Sequence, residues 1–174
     1  VQAFGQFTKD AITLGSDITE AENVIDVSFG KLKYKAYDFA STASKQFGVS
    51  ELAAKRYTGT IMAMLKSSGV AQNAASDMSV ALAGLAGDIA SFYNIDTDTA
   101  IYKIRAGISG EIEPLKQLGI NMSVANMSAY ALANGITKSW TSMTQAEQAT
   151  LRYNYLMSVT KDAQGDFART AGTW

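Results

Sequence analysis

Ile108 to Ser123 reads ISGEIEPLKQLGINMS, and Pro114 within it is the only proline among 174 residues. Two readings compete for this phrase. Glu111 and Glu113 could be a pair of carboxylates doing acid–base work, as in glycoside hydrolysis. Alternatively, the phrase ends one helix and starts another. Proline fits the first turn of a helix, where its missing N–H would have no partner anyway. Glu111 and Glu113 then stand at the positive end of the helix macrodipole, which favours each carboxylate by about 0.3–1 kcal/mol. Gly107 and Gly110 let the preceding helix end and the chain reverse, and Gly119 tolerates the positive φ that closes the short helix. Two residues apart at a helix start, the glutamates point in different directions, with no third acid, aromatic platform or basic partner nearby in sequence. Gly107, Gly110, Glu111, Glu113, Pro114 and Gly119 therefore read as a structural corner, and capping accounts for both carboxylates.

The same junction recurs elsewhere. FGVSEL offers Gly48, Val49 and Ser50; YNIDTD offers Asn94, Ile95 and Asp96; LGINMS offers Gly119, Ile120 and Asn121. In each, a residue tolerant of positive φ stops a helix and an apolar residue packs back on it. A polar side chain then caps the next helix. Thr144 with Glu147 forms a capping-box pattern. Between junctions the apolar spacing is helical: Leu32, Ala36, Phe39, Ala40, Ala43, Phe47; Met78, Leu82, Leu85, Ile89, Phe92; Ala100, Ile101, Ile104, Ile108; Ala146, Ala149, Tyr153, Leu156, Thr160. Lys103 and Arg105 fall opposite the third stripe. The pattern predicts helices near 19–29, 31–47, 51–67, 72–93, 97–108, 112–118, 123–133 and 144–171, with NGITKSW the one stretch open to an extended conformation. Unequal junction spacing argues against a solenoid. The expected fold is all-α: a compact bundle of short and medium helices joined by Gly/Asn corners, one domain over 1–174 with a loosely defined lead-in over 1–15.

Composition removes several chemistries. The chain has no histidine and no cysteine, so His-based triads, His zinc sites, thiolate chemistry and disulfides are excluded within it. A net charge of −1 supplies no overall pull toward nucleic acid or an anionic membrane. The uncharged stretch Gln117–Thr137 is long enough to span a bilayer, but Gln117, Asn121, Asn126, Asn134 and its serines would need partners in hydrocarbon. The start at Val1 without methionine leads us to expect an excerpt of a longer chain.

Three further clusters have ordinary explanations. GKLKYKAYDF interleaves Lys31, Lys33 and Lys35 with Tyr34 and Tyr37, a pattern that can track a nucleic-acid backbone, but on a helix Lys33 points away from the other two and the stretch reads as a solvated face. ALAGLAGDIA, with Gly84 and Gly87, is suited to tight helix packing, and the run between Asp77 and Asp88 is too short for a membrane span. TKDAQGDFARTA sets Asp162 and Asp166 four apart with Arg169 one turn on, and Gly165 inside this pattern costs about 1 kcal/mol against alanine. Asp162, Gly165, Asp166 and Arg169 are thus candidates for an assembly contact, where another helix comes close.

GEIEPLKQLGINMS (110–123), MTQAEQATLRYNYLM (143–157) and DAQGDFARTAGTW (162–174) resemble the conserved segment of bacteriophage tail tape-measure proteins, the phage minor tail protein family. FGVSELAAKRY and LAGLAGDIASFYNIDTDTA are similar to the same segment in order and spacing, so the resemblance covers about residues 14–174. It implies a non-enzymatic structural part of a phage tail, in the virion tail lumen and, during assembly, the host cytoplasm. It implies as partners tail tube and tail-tip proteins, tail-assembly chaperones and further copies of the chain, with nucleic acid and host membrane reached in the full-length context. It carries over no catalytic, cofactor-binding or metal residue. A peptidoglycan-acting glycoside hydrolase using Glu111 or Glu113, and a membrane-active helical module, are the alternatives.

Overall fold

The computed structural model describes residues 2–173, with side chains from Lys9 onward. Val1 and Trp174, the two ends of the expected domain, lie outside the described residues. Among the described residues the chain is all-α, as the spacing predicts, and folds as a compact bundle. The helices are α1 (Gln2–Phe29), α2 (Lys33–Phe47), α3 (Glu51–Ser67), α4 (Gln72–Tyr93), α5 (Thr97–Ser109), α6 (Glu113–Lys116), α7 (Val124–Ala133), α8 (Gln145–Val159) and α9 (Asp166–Thr170). Single 3-10 turns occupy Gly30–Leu32 and Trp140–Ser142.

Left-handed corners make this compactness. Gly48, Gly69, Asn94, Gly110, Gly119 and Gly135 all take positive φ. The next residue in each case sends its N–H back to the helix just finished: Val70 to Leu65 (3.0 Å), Ile95 to Ala90 (3.0 Å), Glu111 to Ala106 (2.9 Å), Ile120 to Leu115 (3.1 Å), Ile136 to Ala131 (2.9 Å) and Val49 to Ala43 (3.3 Å). These bonds satisfy carbonyls that a helix end would leave orphaned. Five of the six following residues are apolar, and Val49, Val70 and Ile120 are buried. Ser50, Asp96 and Ser123 then cap α3, α5 and α7 through the N–H groups of Ala53, Thr99 and Asn126, and Thr144 with Glu147 closes a full capping box on α8.

Helix α4 is the centre of the bundle, touching α2, α3, α5 and α9. It can be approached this closely because of Gly84 and Gly87. A Cβ at Gly84 would sit 3.1 Å from the Phe47 ring, and one at Gly87 would sit 2.8 Å from Phe47 Cβ and 2.9 Å from its carbonyl carbon. Helix α1 runs alongside α3 in the same direction, with Lys55 paired to Glu22 (2.8 Å), Arg56 to Asp17 (3.3 Å) and Lys66 donating to the Ser28 carbonyl (3.0 Å).

Several expectations are corrected. Helix α1 starts at Gln2, not near residue 19. Residues 9–16 are all exposed, so no apolar stripe is imposed there, and Ala21 and Ile25 mark the packed part of the helix. NGITKSW forms no strand; it is a Gly135 corner that passes through an extended Ser139 into the 3-10 turn. Asn121 is not the cap of α7. Its Oδ1 accepts from the Ser123 N–H (3.0 Å) in a local turn, and Ser123 is the cap. Phe92, on the predicted apolar stripe of α4, is exposed, beyond the reach of the neighbours that bury Ile89. The predicted helix over 144–171 is two helices: α8 ends at Val159, residues 160–165 form turns, and Gly165 (φ +82°) opens α9.

Candidate functional site

The residues singled out in the sequence gather at two joints, one at each end of the α8–α9 segment. At the first, Pro114 occupies the opening turn of α6, and Gly110 (φ +108°) ends α5. Gly107 does not take part in the reversal. It lies inside α5, buried, and its missing side chain makes the notch that receives Leu115, whose Cγ would stand 3.2 Å from a Cβ there. Lys103 is the second surprise. Only 8% exposed, it turns toward α6 and donates to the side-chain oxygen of Gln117 and to the carbonyl of Pro114 (3.4 Å). The lysine stem covers apolar surface while its head meets the end of the short helix, where a cation suits the macrodipole. Arg152 closes the joint from α8. It donates to the Ile108 carbonyl (3.3 Å), lies over the Trp140 ring 5.1 Å from its centroid, and packs on Gly110, where a Cβ would stand 3.0 Å from its Nη2. Burial lowers its guanidinium pKa. Tyr155 on the next turn donates to the Asn121 carbonyl (2.9 Å).

At the second joint α9 docks on α4. Asp88, 3% exposed, accepts the N–H of Gly165 on one oxygen (2.8 Å) and the N–H of Phe167 on the other (3.2 Å). Ser91, one turn along, donates to Asp166 Oδ2 (2.7 Å). The Phe167 ring lies on Gly48, where a Cβ would meet it at 2.5 Å. Burial raises the Asp88 pKa above the ordinary carboxylate value, and the two N–H groups pull it back in part; Asp166 adds to the rise and Arg169 opposes it. Arg169 reaches the carbonyls of Asp162 (2.9 Å) and Gln164 (2.8 Å) and the Asp166 carboxylate (3.5 Å). Asp162 and Asp166 are therefore not stacked on one helix face, and Gly165 is the hinge between helices rather than a notch inside one. Asp88 and Ser91 were not singled out from the sequence. The available signal was a lone carboxylate inside an otherwise apolar run on the buried side of a helix, a group that must find donors.

The two glutamates do not share a groove lined as a hydrolase site would be. Glu111 is exposed and is the one carboxylate lining a shallow groove of about 350 Å³ with Tyr102, Arg105 and Ser109. Glu113 is exposed and lies 3.8 Å from Lys116. No protein-family model, curated protein or solved structure matches the chain. Among the described residues no cluster of acidic side chains has metal-site geometry, and no single helix is long and apolar enough to cross a membrane. Helices α4 and α5 reach that composition only together, across a 120° bend, and their apolar faces are used in the bundle core. A third polar tie, between α3 and α5, has the Tyr57 hydroxyl donating to Asp98 and hydrogen-bonded to the Thr97 hydroxyl (3.1 Å). Burial, with the Asp98 bond adding to it, pushes the Tyr57 phenol up to about 12. Lys103, Arg152, Tyr155, Asp88, Ser91 and Tyr57 each tie one segment of the bundle to another.

Proposed function

We propose that the chain is a non-enzymatic structural module of a bacteriophage tail tape-measure protein, contributing to tail assembly and length determination and to genome ejection. One observation supports this most. The five segments that bear the resemblance are scattered along the sequence, yet they meet at the two joints. Residues 143–157 bring Arg152 and Tyr155 onto 110–123 and its approach. Residues 162–173 bring Gly165, Asp166 and Phe167 onto Asp88 and Ser91 of the α4 segment and Gly48 of the α2–α3 corner. What the resemblance marks, on this reading, is a shape, with no reacting group in it.

A ruler of one continuous helix would extend about 1.5 Å per residue, or about 260 Å over this chain. The capped corners fold it back instead, so this module docks or anchors while other parts of a longer protein measure. Its partners would be tail tube and tail-tip proteins, tail-assembly chaperones and further copies of itself, in the tail lumen and earlier in the host cytoplasm. Contact with nucleic acid or the host membrane would belong to the full-length protein.

Co-expression with the tail tube, tail-tip and chaperone proteins encoded around its gene, followed by affinity purification and electron microscopy, tests the reading. The chain should stay with tube or tip assemblies through purification. A chain that joins none of them, or one that digests purified peptidoglycan and loses that activity as Glu111→Gln, would sink it.

A further inference from the structure

Helix α7 is apolar on both sides and covered on one. No lysine, arginine, aspartate or glutamate occurs between Gln117 and Thr137, a stretch that contains all of α7. The inner side is used by the bundle: Met127 and Ala131 are buried, and Tyr130 meets the Tyr155 ring of α8 edge-on at 5.4 Å. The outer side presents Ala125, Ala129, Leu132 and Ala133, all exposed, with Leu132 at 66%. A surface helix turns charged or polar residues to solvent, whereas one that is apolar all round belongs in an interior. Helix α7 has half of that interior.

A concave surface of the same character lies beside it. A groove of about 410 Å³ separates the Gly69 corner and the start of α4 from α8. Buried Val70, Met143 and Leu151 line it together with the small Ala74 and Ala146. Glu147, the charged member of the lining, is already paired with Lys138 (2.9 Å). Ile136 joins the two surfaces: it lines the groove, and its N–H returns to the Ala131 carbonyl in α7 (2.9 Å). Within one chain α7 is held on α8 by its inner side, so its outer side cannot also fill the groove.

We propose that the groove receives α7 of a second copy of this chain, and that two copies exchange this contact about a two-fold axis. Charge and shape select the occupant. An uncharged helix, with the groove's own carboxylate paired, offers nothing to attract nucleic acid, a charged peptide or an anionic membrane. A convex apolar helix and a concave apolar groove fit each other, and one chain carries both. The alanines on either side of Leu132 let the helix come close, and Ala74 and Ala146 leave room for the leucine. Because helix and groove adjoin at Ile136, one rotation brings each helix to the other copy's groove and doubles the contact. A helix of 10 residues is about 15 Å long, so a single contact falls short of the about 800 Å² per partner typical of stable complexes. The doubled contact gives a reversible dimer. It supplies a surface for the further copies of the chain named above, yet it is read from α7 and the groove alone and stands whether or not the chain belongs to a phage tail.

Sedimentation equilibrium from about 10 µM to about 1 mM tests it. The mass should rise with concentration from one chain toward two and stop there. Leu132→Glu on α7 and Ala74→Glu in the groove, both at exposed positions, should each weaken the dimer by about tenfold or more, since each buries an unpaired carboxylate. Their circular dichroism should match the parent's. Mixed together, the two variants should associate better than either alone, because the mixed pair keeps one intact helix in one intact groove. A parent that stays monomeric, a mass that climbs past two chains, or a dimer that survives either variant overturns the proposal. So does flotation of the parent with phosphatidylcholine vesicles, which would make lipid the occupant of the α7 face. Should Leu132→Glu fail to fold, Ala125→Glu takes its place, in the first turn where the macrodipole favours a carboxylate.

Discussion

Gly87→Ala is the sharpest perturbation of the packing that centres on α4. The added Cβ would lie 2.8 Å from Phe47 Cβ and 2.9 Å from its carbonyl carbon, with the carbonyl oxygen nearer still. Ordinary contact begins near 3.4 Å, and the carbonyl oxygen is the nearest obstruction, so the end of α2 must retreat by more than about 1 Å. No rotamer change can supply that movement, since the obstructing atoms are backbone or Cβ. The backbone itself is pinned, with the N–H groups of Gly48 and Val49 returning to the last carbonyls of α2. Overpacking of this kind costs about 1–3 kcal/mol, and the absence of a rotamer escape puts this site at the upper end. Alanine repays about 1 kcal/mol through helix propensity, leaving a net loss of about 2 kcal/mol, or about 4–8 °C in melting temperature for a chain of this length. Gly84→Ala is the control. Its Cβ would meet only the Phe47 ring, at 3.1 Å, and a ring can tilt, so the same propensity gain leaves it near neutral. Thermal melts and urea titrations followed by circular dichroism measure both. If Gly87→Ala melts with the parent or with Gly84→Ala, the close approach of α2 to α4 is not the constraint described.

Leu115→Ala empties the notch at Gly107 and should cost about 2–5 kcal/mol; adding Gly107→Ala should return part of that loss, so that in urea titrations the double variant is more stable than the sum of the singles predicts. Tyr57→Phe removes the donor to Asp98 and Thr97 and should lower the unfolding free energy by about 1–3 kcal/mol, whereas Tyr34→Phe, at an exposed ring, should change it little. Glu147 has its pKa depressed by the Lys138 hydrogen bond and then by the Thr144 N–H, so its stabilisation is present above the unfolded carboxylate pKa and is lost as pH falls through the folded value; the gap between parent and Glu147→Gln in urea titrations should close on acidification. Asp88 behaves in the opposite sense: its folded pKa is raised, so the parent's stability relative to Asp88→Asn should fall as pH rises from the unfolded pKa through the folded one, and a difference that grows with pH would contradict the burial argument.

The chain made its helices legible wherever the punctuation was local. Gly48–Val49–Ser50 and Asn94–Ile95–Asp96 contain the stop, the apolar return and the next cap within three residues, and α2, α3, α4 and α5 follow from them within two residues. Pro114 behaved the same way, since its fixed φ and missing N–H suit only the opening turn it occupies. The side chains that hold the joints were harder to find. Lys103 sat on the apparent solvent side of its stripe because periodicity describes one helix at a time, while its partner Gln117 comes from α6 after the corner has turned. Residues 9–16 of α1 were missed for the converse reason: they are exposed, so no burial imposes a stripe on them.

Gly165 shows where the limit lies physically. The turn over residues 160–165 is set partly by local bonds, such as the Asp166 N–H on the Ala163 carbonyl, and partly by the two N–H groups that Asp88 accepts from 77 and 79 residues away, on the order of 1.5–3 kcal/mol each for a charged acceptor. Against a domain's total stability of about 5–15 kcal/mol that is a substantial share, and it fixes the direction in which the chain leaves α8. The corners at Gly48 and Asn94 are written by adjacent residues and so are legible in a short window. The one at Gly165 draws part of its support from a side chain 77 residues away, which no window around residue 165 contains.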